Sequence, residues 1–394
     1  MRIEAIRIKN FRVFQDVQLS GLPGMVVLVG ANGVGKSTFF DLFSFLKDSL
    51  EHNVRTALQK RGGFREVVTR GHEEEPIEIE IKYRMMISGR ERLVAYFLSL
   101  GLRENFPVVF KEILRYKLGR HGSPFHFLDF SEGKGFAITN EEAFSQNLGS
   151  PDREEQTLDK PDILAIKGIG QFQRFKAANA FRSLIEHWHV SDFHITAARP
   201  SIDAGVAEHL SREGENLALV TQFLHENHPE IFRQILIKMK ERVPGISNVD
   251  AATTADGRVV LRFQDGQFKD PFIARYVSDG TIKMFAYLVL LHDPSPHPLL
   301  AVEEPENQLY PKLLGELAEE FRAYAQRGGQ AFISTHSPDF LNAVELNELF
   351  WLRKQHGCTT IEAAAQSPLV KGLMDAGDQP GRLWTQGLFE GVDP

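Results

Sequence analysis

Nine residues constrain this chain more than any others. Gly30-Ala31-Asn32-Gly33-Val34-Gly35-Lys36-Ser37-Thr38 fits the spacing G-x-x-x-x-G-K-[ST]. Before it stands Met25–Val29, five apolar residues in a row. After it, Phe39, Phe40, Leu42, Phe43, Leu46 and Leu50 recur at helical spacing. An unbroken apolar run suits a strand covered on both faces, and the stripe suits an amphipathic helix. The order strand, glycine loop, helix predicts an α/β fold built on a parallel sheet. Glycines let backbone amides approach an anion without a Cβ in the way, and the helix N-terminus adds partial positive charge there. The spacing therefore predicts that Gly30, Asn32, Gly33, Gly35 and Thr38 wrap nucleotide phosphates. Lys36 would reach the β- and γ-phosphates, and the Ser37 hydroxyl would ligate Mg²⁺.

A second run, Leu299-Leu300-Ala301-Val302, ends in Glu303-Glu304-Pro305-Glu306. Read alone it is a strand end with solvated acids. Paired with the phosphate loop it is a buried strand that delivers carboxylates to the same sheet edge. Glu303 then suits a metal or metal-bound water, and Glu304 suits the activation of an attacking water. Residues 311–327 follow as a helix with Leu313, Leu314, Leu317, Phe321 and Tyr324 on one face, and Gly328-Gly329 mark its end. Residues 330–335 read as the next strand, which delivers His336 to that edge as a γ-phosphate contact.

Composition narrows the class. The 394 residues carry 45 Lys+Arg against 52 Asp+Glu, net −7, which argues against a globally basic nucleic-acid binder. One cysteine, Cys358, excludes an internal disulfide and a cysteine metal framework. No apolar run approaches the roughly 20 residues of a membrane span, and the charged opening M-R-I-E-A-I-R-I-K-N does not read as a secretory signal. A cytoplasmic chain without membrane contact is expected.

Residues 3–8 and 13–19 read as paired strands, and 76–140 as a β-rich flank in which Ile77–Ile87 and 93–98 face each other across a turn at 88–90. The stretch 145–159 reads as loop. Segments near 171–188, 214–227 and 229–242 read as helix, and 258–263 as strand. This gives three expected parts: 1–140, the N-terminal half of the phosphate-loop domain; 141–250, a mainly helical insertion; and 251–394, the C-terminal half. His187, His189 and His194 cluster around Trp188 without acidic or cysteine partners, which favours packing over metal binding. Lys167, Arg174, Lys176 and Arg182 interleave with Phe172, Phe175 and Phe181. That is the best local patch for DNA or an acidic partner, with a basic solvent face on an amphipathic helix as the plain reading. The basic stretch Arg55, Lys60, Arg61, Arg65 and Arg70 reads as local electrostatics beside the loop. Residues 368–394 read as loop with a short helix.

Together the motifs resemble the ABC-type ATPases of the SMC, RecF and OLD-like branch. The opening I-R-I-K-N-F-R-V-F-Q-D looks like that branch's N-terminal strand pair. Tyr276-Val277-Ser278-Asp279-Gly280-Thr281 resembles the ABC signature, 26 residues before Glu304, and His336 stands 32 residues after it. E-E-P-E-N-Q-L-Y-P looks like the acidic box of small bacterial AAA-family ATPases, and Arg199-Pro200 and the closing G-R-L-W-T-Q-G-L-F resemble the same subgroup. The resemblance implies an ABC-type P-loop head with a mixed β flank and a helical insertion. It implies ATP and Mg²⁺ as ligands, with Lys36, Glu304 and His336 catalytic and Ser37 and Glu303 on the metal. Ser278 and Gly280 would touch ATP held by a second subunit, Arg12 would lie near the nucleotide, and Asn307 would fall at the dimer interface. Glu303 stands where the family usually has Asp, and Tyr310 where the subgroup often has His. Gln59 is a weak candidate for the Q-loop glutamine, with Arg65 or Arg70 as substitutes. Only 58 residues follow His336, so no Toprim nuclease domain is expected and a separately encoded effector nuclease in anti-phage defence is the implied output. A RecF-like DNA clamp and an ATP-assembled scaffold remain open beside it.

Overall fold

The computed structural model describes residues 2–87, 89–117, 123–141 and 150–389. Part of the 145–159 loop and the extreme end of the 368–394 tail lie outside the described residues. In chain order the first strands are β1 (Arg2–Phe11), β2 (Phe14–Ser20), β3 (Met25–Val29), β4 (Ile77–Ile87), β5 (Arg90–Arg103), β6 (Phe106–Tyr116), β7 (Phe125–Ser131), β8 (Lys134–Ile138) and β9 (Arg153–Thr157). They are followed by β10 (Trp188–Ser191), β11 (Ile202–Asp203), β12 (Ile246–Thr253), β13 (Arg258–Asp265), β14 (Phe272–Ile273), β15 (Leu299–Glu303), β16 (Ala331–Thr335), β17 (Leu349–Gln355) and β18 (Cys358–Ala363).

The central sheet runs β10-β15-β16-β3-β17-β18, parallel throughout except for the β17–β18 hairpin. Its apolar strands alternate their loyalties. Val26 and Leu28 of β3 join the core shared with the antiparallel sheet, while Met25, Val27 and Val29 join the core on the other face. Leu299 and Ala301 of β15 split from Leu300 and Val302 in the same way. Two covered faces are the reason these strands read as continuous apolar runs. On one face lies the helix Lys36–Glu51 with its phenylalanines buried; on the other lie Asp279–Leu291 and Lys312–Gln326.

The second sheet is antiparallel, β2-β1-β4-β5-β6-β7-β8-β9. Gln330 fastens it to the central sheet. Its Oε1 accepts from the Ile3 amide at 2.8 Å, and its Nε2 donates to the Ile3 and Pro23 carbonyls, each at 2.9 Å. A small third sheet joins β11, β13, β12 and β14.

The segment 141–250 does not stand apart as an insertion. It is richer in helix than in strand, yet it supplies β9 to the antiparallel sheet, β10 to the central sheet, and β11 with the start of β12 to the third. The tail also has more order than its composition suggests: Pro368–Asp375 and Pro380–Thr385 are helices, each with proline in its first turn. Trp384 is buried, and Phe389 stacks on Trp351 at 5.3 Å, so both aromatics dock the tail onto the body. No helix among the described residues is long and apolar enough to cross a membrane.

Candidate nucleotide site

Parallel register brings the motif strands to one edge. Ser191 pairs with Val302, Glu303 with Ser334, and Thr335 with Val29, so the C-terminal ends of β10, β15, β16 and β3 lie side by side. The phosphate loop leaves β3 there. Gly33 has φ +74° and Gly35 φ +112°, left-handed values that favour glycine. A Cβ on Gly35 would meet Val13 Cγ2 at 2.7 Å, and one on Gly30 would meet the Leu352 carbonyl at 2.9 Å. Thr359 supports the loop from β18, its hydroxyl donating to the Val34 carbonyl at 2.6 Å.

Lys36 starts the helix and is buried. Its Nζ donates to the Gly30 carbonyl at 2.5 Å and the Ala31 carbonyl at 3.2 Å. Burial lowers its pKa against the opposing pull of Glu304, Glu306 and Glu303. Ser37 Oγ lies 2.5 Å from Glu303 Oε2, so the extra methylene of Glu brings its carboxylate to the serine. Burial raises the Glu303 pKa; the Ser37 bond opposes this, and Asp192 and Glu304 add to it. A hydroxyl and a carboxylate in contact, in a site crowded with like charge, are the oxygen donors Mg²⁺ takes. The residues fit that ion, and its charge would reverse the electrostatic cost at Glu303.

Glu304 follows β15 with φ +44°. Its backbone amide donates to the Ser334 carbonyl at 2.9 Å. Its Oε1 lies 3.2 Å from His336 Nδ1, and its Oε2 accepts from Asn307 Nδ2 at 3.0 Å. Glu304 and His336 are therefore in direct contact, with Asn307 fixing the carboxylate from the other side.

Two further charged residues at this edge are buried. Glu306 is buried; its Oε1 accepts from Thr335 Oγ1 at 2.7 Å and from the His336 amide at 3.0 Å, while Oε2 has no hydrogen-bond partner among the described residues. Lys283 lies hidden inside the apolar run of the helix Asp279–Leu291. Burial pushes its pKa down to about 8, with Glu306, Asp192 and Glu304 pulling the other way.

Ser278 caps that helix, accepting from the Thr281 amide at 3.3 Å. Arg199 pairs with Asp279 and donates to the Arg275 carbonyl at 2.8 Å. A Cβ on Gly280 would meet the Gln308 carbonyl at 2.9 Å, so the signature segment abuts the turn after Glu306. Among the described residues no hydrogen bond joins Ser278 or Gly280 to the phosphate loop. Arg12 has φ +50° and pairs with Asp41 at 3.0 Å. With Thr38, Arg61, Arg70 and Lys354 it lines a cavity of about 750 Å³ beside the loop. Asn32 is exposed at the loop tip, and Gln59 is exposed at the end of its own helix.

The interleaved basic patch is largely spent within the fold. Arg174 pairs with Glu154 and Arg182 with Glu186, while Lys167 donates to the Glu51 and His52 carbonyls. Phe175 and Phe181 are buried. In the second basic stretch, Arg61 bridges Asp41 and Asp48, Lys60 meets Asp48, and Arg70 meets Glu66.

The family described as "AAA domain, putative AbiEii toxin, Type IV TA system" matches residues 25–342, from the first residue of β3 to beyond His336. The chain belongs to that family. It also resembles a DNA replication and repair protein RecF from Paenarthrobacter aurescens (strain TC1), 31% identical over 96 residues. That match covers 23% of this chain and 24% of the relative. Among solved structures, an SMC head bound to the C-terminal winged-helix domain of ScpA aligns with TM-score 0.58 at 12% identity, covering 92% of this chain and 98% of that one. The Pyrococcus furiosus SMC head with an extended coiled coil, bound to the C-terminal domain of ScpA, aligns with TM-score 0.51 at 12% identity, covering 96% of this chain and 100% of that one. This AAA-domain chain thus has the fold of an ABC-type ATPase head of the SMC/RecF branch.

Proposed function

We propose that this chain binds Mg²⁺–ATP and hydrolyses it to ADP and phosphate at the interface of two head-to-tail copies. The observation that carries the reading is the contact of Glu304 with His336 and Asn307 at the same sheet edge as Lys36, Ser37 and Glu303. Lys36 and the loop amides would stabilise charge on the transferred phosphoryl group. Ser37 and Glu303 would hold Mg²⁺, which when bound neutralises phosphate charge. Glu304 would accept a proton from the attacking water at whichever oxygen faces it, while Asn307 keeps the carboxylate oriented. His336 would sit against the γ-phosphate. Ser278 and Gly280 would complete the site of the second copy, in line with their lack of bonds to their own loop. Arg12, with Thr38, would face the nucleotide from the adjoining cavity.

The output would be control of a separately encoded effector, a nuclease in bacterial anti-phage defence, acting in the cytoplasm. The family description, with its toxin of a type IV system, supports a defence role. A RecF-like clamp on DNA is the second reading, favoured by the partial match to a replication and repair protein. The internal pairing of Arg174, Arg182 and Lys167 leaves that reading a smaller cationic surface than the sequence offers. Light scattering tests the assembly directly. The Glu304→Gln protein should double its mass on adding Mg²⁺–ATP and return to a single copy with ADP. A mass that does not respond to ATP would remove the sandwich from the account. Salt-dependent retention of duplex DNA by the ATP-bound form would favour the clamp instead.

A further inference from the structure

Away from the nucleotide site, two loops bring His209, Asp293 and His297 together, the last two from the connection between the helix Asp279–Leu291 and β15. One nitrogen or oxygen from each lies within 4.8 Å of the others. His209 precedes the helix Leu217–Asn227, Asp293 follows the helix Asp279–Leu291, and His297 precedes β15. His209 Nδ1 lies 2.7 Å from Asp293 Oδ2, and the Asp293 side chain is only 4% exposed. The other Asp293 oxygen accepts from the Ser295 amide at 2.8 Å, which fixes the carboxylate.

The state of His297 points to a ligand. Its Nδ1 lies 3.1 Å from the His187 carbonyl, which can only accept, so Nδ1 carries the hydrogen and Nε2 keeps its lone pair. That Nε2 is buried and has no hydrogen-bond partner among the described residues. A carbonyl on one imidazole nitrogen, with the other free, is how metal-binding histidines are oriented. His189 adds an independent sign. It is 8% exposed, its ring stacks on His297 at 4.7 Å, and its Nε2 is also buried without a partner. Two buried, unpaired ring nitrogens are costly, and at His297 a cation that takes the Nε2 lone pair would remove that cost.

We propose that His209, Asp293 and His297 bind a divalent transition metal of zinc type, with His189 stacked against His297 beside them. Imidazole with carboxylate suits zinc rather than Mg²⁺. Zinc bonds of about 2.0–2.2 Å set tetrahedral donors about 3.3–3.6 Å apart, so His209 would give up its bond to Asp293 and the donor atoms would shift by roughly an ångström. His209, with its side chain 40% exposed, is free to make that movement, and its exposure leaves a coordination position for water. The ion would staple the 204–216 segment to the end of the signature helix and to the start of β15, the strand that carries Glu303. Of the histidines singled out in the sequence, His189 lies beside this group, whereas His187 turns its ring to the Ser183 carbonyl and His194 is exposed beside Asp192.

The test uses the full chain, freed of metal with a chelator and desalted without nucleotide. Zn²⁺ is titrated by calorimetry and Co²⁺ by visible absorption. One saturable site per chain and intense tetrahedral Co²⁺ bands are expected. His297→Ala and Asp293→Asn should each weaken Zn²⁺ binding at least about tenfold. His209→Gln, at a half-exposed position that leaves the core intact, should do the same while keeping the wild-type far-ultraviolet spectrum. Binding unchanged in His209→Gln, or a Co²⁺ spectrum like that of the hydrated ion, would overturn the proposal.

Discussion

Glu306 offers a direct test of how the sheet edge is held. It accepts from the Thr335 hydroxyl and the His336 amide, and it is the carboxylate that most favours the charged form of Lys283. Glu306→Gln keeps an oxygen for both donors but removes the charge. Bonds to a charged acceptor contribute about 1.5–3 kcal/mol against about 1 for neutral ones, so the loss over two bonds is about 1–4 kcal/mol. Glu306→Ala removes the acceptor as well and leaves a buried ammonium facing fewer acids, a loss of about 3–5 kcal/mol. Trp188, Trp351 and Trp384 are all buried, so denaturant unfolding can be followed by tryptophan fluorescence. The midpoint should fall from wild type to Glu306→Gln to Glu306→Ala. Lys283→Met should reduce the cost of Glu306→Ala by more than about 1 kcal/mol, because the effects of coupled charges do not add. Equal midpoints in wild type and Glu306→Ala, or the same cost in both Lys283 backgrounds, would refute the reasoning.

Two further outcomes follow from buried groups elsewhere. Burial raises the pKa of Glu112 to about 7 and that of Glu141 to about 8, with bonds from the Ala165, Ile166 and Ala177 amides only partly opposing it. Their folded forms hold a proton that the unfolded chain releases near pH 4.5, so their contribution is full below that pH and lost as pH rises through 7 to 8. The denaturation midpoint of Glu141→Gln should accordingly vary less between pH 5 and 8 than that of wild type, and a variant that tracks wild type would contradict the burial argument. Trp384→Ala should cost about 3–5 kcal/mol and raise protease sensitivity in 368–389, because Trp384 and Phe389 pack the tail onto Trp351. Unchanged proteolysis would show that the tail is held by other contacts.

The phosphate loop and its flanking elements were legible because steric and charge demands leave few residues that serve there. β3 and β4 fall where their apolar patterns place them, since one is covered on both faces and the other alternates. β10 was not legible. Four residues, Trp188-His189-Val190-Ser191, are too few to show a period, and only the pairing with β15 makes them a strand. The third sheet was partly hidden for the same reason, as β11 and β14 have two residues each. Glu304 and His336 could be assigned from their strand ends, and they meet. Lys283 could not, because a lysine within an apolar helix looks like the end of its polar face. In the His209, Asp293 and His297 group, Asp293 and His297 share one loop, but His209 lies 84 residues before Asp293, and only the fold brings it to them.

The central claim is that Glu304 activates water for ATP hydrolysis. Phosphate release by wild type and Glu304→Gln, at saturating Mg²⁺–ATP with nucleotide binding measured alongside, tests it most directly. The account predicts that Glu304→Gln binds ATP as wild type does and turns over about 10²–10⁴-fold more slowly. Turnover at the wild-type rate, with binding intact, would contradict it.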